Sequence, residues 1–229
     1  MNNSNNISYI EEKFVFEIYD SFSYDKKLET KSLYRLVFDK DEKEFVDFYY
    51  AKRIKNNIIF VLRTKNDNNI VSMIHLNPYY FNIDGKNQNI LSYYLVAVAT
   101  MGKYRHKGLM SYLLNEVFKY MSKKSIPFIF LMPENKNIYE QFGFFEVDKF
   151  YFYDDKQYKK YLTVAIDEEK KSFLEIEKDY YDDNFTNQIM MMKIIDFDKM
   201  KNIYDIKNIP NDELQNIIKK KGFYFCFLV

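Results

Sequence analysis

The chain has 229 residues, 47% of them hydrophobic and 29% charged, with 34 lysines and arginines against 33 acidic residues. That is enough chain to bury a core, and the charge is too evenly balanced for a broad nucleic-acid footprint. The single cysteine, Cys226, excludes an internal disulfide and a cysteine-built zinc cluster.

The opening residues, MNNSNNISYIEEK, are polar, with neither a basic n-region nor an apolar h-region. No apolar run reaches the roughly 20 residues of a membrane helix. A cytosolic, cytoplasmic chain with a frayed Asn/Ser-rich start is expected. KSLYRLVF (31–38) and DEKEFVDFYYAKRI (41–54) place apolar residues at helical spacing, and the second has the acidic start that suits a helix N-terminus. The period then changes. NIIFVLRT (57–64) and IVSMIHLNPYYF (70–81), separated by the turn cluster KNDNN, read as a hairpin. NILSYYLVAVAT (89–100) is apolar almost throughout, as a central strand covered on both faces would be.

LMSYLLNEVFKYM (109–121) carries one apolar stripe of Leu109, Met110, Leu113, Leu114, Val117, Phe118 and Met121. SIPFIFLMP (125–133) reads as a buried strand, NKNIYEQFGFFEV (135–147) as a short helix with Gly143 at its C-cap, and FFEVDKFYFYD as a further strand. The middle of the chain is therefore β–β–β–turn–α–β–α–β, a mixed sheet with helical crossovers and an α+β or α/β layer fold. Beyond residue 154 the pattern weakens. IMMMKIIDF (189–197) is expected as a strand, NDELQNIIKKKG (211–222) as a helix, and the final FYFCFLV as a strand running to Val229.

The segment between the central strand and the helix, YRHKGLM, sets Arg105, His106 and Lys107 directly before Gly108. A helix N-terminus offers unpaired N–H groups and a partial positive charge, so an anion would be held there. Gly108 lets that anion approach the backbone with no Cβ in the way. A solvated basic loop explains the same residues, and local chemistry leaves the two readings level. The spacing is neither a nucleotide P-loop nor a GxGxxG fingerprint.

VAVATMGKYRHKGLMSYLL followed by FLMPENKNIYEQFGFF resembles the acetyl-CoA site of the Gcn5-related N-acetyltransferases (GNAT). In that family a turn R/Q-x-x-G-x-G/A is followed by a helix, a strand and a helix bearing Y-x-x-x-G-F. The matching residues here are Arg105, Gly108 and Met110, then Tyr139, Gly143 and Phe144. Met110 departs from the usual glycine or alanine. That bulk, with MP-x-x-x-x-IY-x-x-FGF and the stretch LYRLVFDKDEKEFVDFYYAKR, is similar to the Eis-like subgroup. The resemblance covers about residues 30–150. It implies a GNAT catalytic domain over 1–154, with a mixed central sheet flanked by helices. Residues 155–229 would then be a small α+β appendage like a shortened sterol-carrier-like region.

The resemblance also implies roles. Pantetheine would pair with the backbone of Val98, Ala99 and Thr100, and the coenzyme A diphosphate would lie on Arg105, His106, Lys107, Gly108, Leu109 and Met110. Tyr139 would be the general acid beside the coenzyme sulfur, and the α-carboxylate of Val229 the base. Acetyl-CoA is the implied cofactor, and the acceptor a primary amine on an aminoglycoside- or polyamine-like molecule or a lysine. No metal, nucleic acid or membrane is implied, and a homo-oligomer is left open. Of the two histidines, His106 belongs to the turn and His75 is read as structural. A catalytically silent acyl-CoA-binding sensor of the same fold is the rival reading.

Overall fold

The computed structural model describes residues 3–82, 90–147, 150–152, 189–221 and 223–226. The chain divides into two compact units, one of residues 1–78 and 93–126, the other of residues 79–92 and 127–229.

The first unit begins with α1 (Asn3–Lys13), β1 (Phe14–Tyr19) and α2 (Tyr24–Leu28), continues through α3 (Lys31–Val37) and α4 (Lys43–Lys52), and then enters the hairpin β2 (Ile58–Thr64) and β3 (Ile70–Asn82). β4 (Ile90–Thr100) leads through a short 3-10 turn into α5 (Leu109–Lys123). The strand order is β1-β2-β3-β4. β1 lies antiparallel to β2 with Phe16 opposite Leu62, and β2 antiparallel to β3 with Ile59 opposite His75. Strand alternation sorts the side chains between two faces. Tyr19, Ile59, Val61 and Met73 pack with Leu33 and Tyr34 of α3 and Val46, Tyr49 and Tyr50 of α4. On the opposite face, Phe14, Phe16 and Phe60 meet Tyr104, Tyr112 and Tyr120 edge-on, at 5.7, 5.9 and 5.5 Å between centroids. Those three tyrosines recur every eight residues, so one side of α5 and the turn before it are laid along the sheet.

Three polar clusters hold the α2–α4 side together. Lys27 is fully buried, and its ammonium donates to Ile54 O (2.8 Å), Lys55 O (3.2 Å) and Asn57 O (2.5 Å). It thereby satisfies carbonyls at a helix end that would otherwise be stranded. Arg63 of β2 is pinned by Glu17, Glu29 and the Tyr19 hydroxyl. Asp47 of α4 receives Lys31 at 2.7 Å and Arg35 at 2.9 Å, which ties α3 to α4.

The second unit contains β5 (Phe128–Leu131), α6 (Asn137–Glu140), β6 (Phe145–Val147), β7 (Phe150–Phe152), β8 (Met190–Ile194), α7 (Phe197–Tyr204), α8 (Asn211–Lys221) and β9 (Phe223–Cys226). β8 lies between β5 and β6, antiparallel to both, and Met191 and Met192 are fully buried there. β7 runs parallel to β9, and β9 runs antiparallel to residues 80–82 of β3, which belong to this second unit. The strands are therefore mixed in direction and flanked by helices, an α+β fold.

Most expected elements are present, with three differences. The frayed start is instead α1, which leads into β1, and residues 14–30 hold β1 and α2, which the sequence pattern did not reveal. The strand expected over 189–197 stops at Ile194, because Asp196 caps a helix there by accepting from Lys199 N at 2.9 Å. β4 is not covered evenly on both faces: Leu95, Ala97 and Ala99 are buried, while Val96, Val98 and Thr100 are half-exposed. The 154/155 domain boundary lies outside the described residues. No helix among the described residues is long and apolar enough to cross a membrane.

Candidate active site

β4 carries an irregularity that no sequence pattern announced. Ala97 has φ +51°, a left-handed conformation inside a strand. That costs an L-residue about 1 kcal/mol, which the packed alanine face around Ala97 and Ala99 sustains. Such kinks re-aim backbone groups and are common beside active sites. The only hint was the run of small residues in Ala97-Val98-Ala99-Thr100, which tolerates the kink where a larger buried side chain would not.

The end of β4 is locked by short contacts. Ser72 Oγ donates to Ala99 O at 3.1 Å and lies 2.9 Å from Thr100 Oγ1, and Met101 N donates to Val71 O at 2.8 Å. The chain then turns over Gly102–Tyr104, with Tyr104 N donating to Met101 O at 2.8 Å and Arg105 N to Gly102 O at 3.2 Å. Arg105 folds back so that Nε donates to Thr100 O at 3.1 Å. Two carbonyls of the expected pantetheine strand, those of Ala99 and Thr100, thus accept from the Ser72 hydroxyl and the Arg105 guanidinium.

His106 and Gly108 both take left-handed backbone, at φ +61° and +76°. Gly108 is the N-cap of α5 and supplies no side-chain cap, while Tyr112 N closes the first helical bond on Gly108 O at 3.0 Å. The earlier N–H groups of the fifteen-residue helix therefore have no capping side chain. Arg105, His106 and Lys107 are exposed, Gly108 and Met110 half-buried, and Leu109 buried in the stripe beneath. Among the described residues none of the three basic side chains pairs with a carboxylate. A long helix with no capping side chain, a left-handed glycine and unneutralised cations together fit a diphosphate.

Tyr139 belongs to the second unit. It sits on α6, and Phe142 N and Phe144 N both return to Tyr139 O, at 2.9 and 3.3 Å, around the left-handed Gly143. Its ring meets Phe144 edge-on at 5.8 Å. Burial, reinforced by Glu134, pushes the phenol up to about 12, so it keeps its proton throughout the neutral range. Lys193 Nζ donates to Phe142 O at 2.7 Å and would touch a Cβ built on Gly143 at 2.9 Å. Nothing local in the sequence linked Lys193 to this turn.

His75 is fully buried, with Nδ1 2.9 Å from the Tyr49 hydroxyl and its ring stacked on Tyr49 at 5.8 Å. Burial depresses its pKa to about 3, with Lys27 adding to the effect. It is a neutral core residue. Val229 lies outside the described residues.

The family model described as an acetyltransferase (GNAT) domain matches residues 19–147. No curated protein matches the chain. A GNAT-family N-acetyltransferase (YhbS) from Escherichia coli, solved in complex with CoA, is 11% identical, covering 93% of this chain and 90% of its own, with a TM-score of 0.54. A putative N-acetyltransferase from Lactobacillus plantarum is 14% identical, covering 80% and 99%, with a TM-score of 0.50. A probable N-acyltransferase from Enterococcus faecalis V583 is 17% identical with a TM-score of 0.49, covering 60% of this chain; the chain spans only 33% of that protein. At these identities the likeness is one of fold. With a matched region that runs from the end of β1 through the basic turn and Tyr139 to β6, the chain belongs to the acetyltransferase (GNAT) domain family, whose enzymes use acetyl-CoA.

Proposed function

We propose that the protein is an acetyl-CoA-dependent N-acetyltransferase acting on a primary amine. The observation that carries this reading is the anion cradle before α5: a helix start with no capping side chain, the left-handed Gly108, and Arg105, His106 and Lys107 free of carboxylates among the described residues. Backbone N–H groups from His106 to Met110 would hold the coenzyme diphosphate, with the Arg105 guanidinium beside it. The Val98–Thr100 backbone would align the pantetheine arm as an added strand. When bound, acetyl-CoA supplies an acetyl group on a good leaving thiol. Alignment of that group with an amine accounts for much of the rate such a site can give.

Tyr139 is assigned as the proton donor to the departing sulfur, on its place in the Y-x-x-x-G-F motif. A phenol at about 12 is a weaker acid than a free one, so its first contribution is a hydrogen bond to developing negative charge. His75, buried and neutral, is assigned a structural role. The bulky Met110 and the MP-x-x-x-x-IY-x-x-FGF run support placement near the Eis-like subgroup, and with it an aminoglycoside- or polyamine-like acceptor or a lysine.

The test is thiol release from acetyl-CoA across aminoglycosides, polyamines and lysine peptides. Amine-dependent release is expected. Coenzyme binding with no release for any amine would favour the silent sensor.

A further inference from the structure

α6, which carries Tyr139, is a helix of only four residues, Asn137–Glu140. A helix that short does not fix a side chain by its own bonds, so its orientation depends on what grips its ends. At the start, Asn137 N donates to Asn135 Oδ1 at 3.1 Å and Lys136 Nζ pairs with Glu146 Oε1 at 2.5 Å. Both partners of that ion pair are exposed, and exposed pairs hold little. At the far end the chain doubles back on the carbonyl of Tyr139 itself, which accepts from Phe142 N and Phe144 N.

β8 closes on this loop by register. Met192 lies opposite Phe145 of β6, so the next residue of β8, Lys193, stands level with the turn before it. There its Nζ takes Phe142 O at 2.7 Å. Three links therefore join β8 to the phenol: Lys193 Nζ to Phe142 O, Phe142 N to Tyr139 O, and the Tyr139 side chain. The other anchor is the buried Phe144 ring, edge-on to Tyr139 at 5.8 Å. Of the two, the charge-assisted hydrogen bond is the one that fixes direction. We propose that Lys193 is a positioning residue for Tyr139, holding the turn so that the phenol stays where acetyl transfer needs its proton. The inference rests on the reading of Tyr139 as the proton donor.

Single-turnover thiol release at saturating acetyl-CoA tests it, using the fastest amine among aminoglycosides, polyamines and lysine peptides. Circular dichroism first establishes that each variant is folded. Lys193→Met should slow release about tenfold, within the range for a displaced reacting group, and leave coenzyme A affinity within about twofold. Lys193→Arg keeps a charged donor and should recover most of the rate. In a Tyr139→Phe background, Lys193→Met should slow release by less than about twofold, because its effect runs through the missing hydroxyl. A wild-type rate in Lys193→Met, or an undiminished loss in the Tyr139→Phe background, would overturn the positioning role and leave the acetyltransferase reading standing. A wild-type rate in Tyr139→Phe would overturn the proton-donor assignment and the positioning role with it. Absence of amine-dependent release from the wild type would overturn the acetyltransferase reading as well.

Discussion

Lys193 Nζ donates to Phe142 O at 2.7 Å across 51 residues of sequence, so β8 grips the turn that follows Tyr139. The ammonium is half-buried, and burial lowers its pKa. It also stands where a Cβ on Gly143 would be, at 2.9 Å. Lys193→Met should cost about 1–2 kcal/mol in urea unfolding, the range for a hydrogen bond from a charged donor that is not fully desolvated. Gly143→Ala should cost about 1–2 kcal/mol from the left-handed backbone at φ +80° and the crowding of Nζ. Because the crowding partner is the lysine tip, Gly143→Ala should cost less in the Lys193→Met background than alone. Strict additivity of the two losses would show that they do not act on each other.

His75 makes stability sensitive to acid. The unfolded chain takes up a proton near the ordinary value of 6.5, whereas the folded chain resists it down to about 3. Between those values the unfolded state binds more protons, so stability is full above pH 6.5 and falls as pH is lowered through that window. His75→Gln should flatten the slope of unfolding free energy between pH 6.5 and 4, whatever it does to stability at pH 7. An unchanged slope would mean that His75 is protonated in the folded chain.

Tyr139→Phe removes one oxygen and keeps the edge-on ring contact with Phe144. Turnover should fall about 10²-fold or more, within the usual range for a lost proton donor, while coenzyme A affinity moves by less than about threefold. With the phenol at about 12, wild-type turnover should show no basic limb assignable to Tyr139 below about pH 11. A limb near pH 8 or 9 that vanishes in Tyr139→Phe would contradict that environment.

Much of this fold could be read from periodicity. α3, α4, the β2–β3 hairpin, α5 and α8 all announced themselves, the helices by their apolar spacing and the hairpin by two apolar runs about a turn cluster. β1 escaped notice because FVFEIY is short, follows a polar segment, and gains its meaning only from pairing with β2. The strand order β5-β8-β6 was equally hidden, since contacts between strands distant in sequence leave no local signal. The anion cradle was legible from Arg105 to Gly108. Its supports were not: the Ala97 kink, the Tyr104–Phe14 ring contact and the Ser72–Thr100 lock depend on tertiary neighbours. Met110 drew attention as a motif departure, and it stands half-buried at the helix start.

The reading depends above all on the cradle before α5. Titration calorimetry of coenzyme A into the wild type and into Arg105→Ala/Gly108→Asp isolates it. The double variant removes the guanidinium and puts a carboxylate, on an L-residue, at φ +76°. Circular dichroism should first establish that the variant is folded. Wild-type binding that drops at least about 10²-fold in the folded variant is the expected result. Equal affinities in the two proteins would contradict a coenzyme A diphosphate site at this turn.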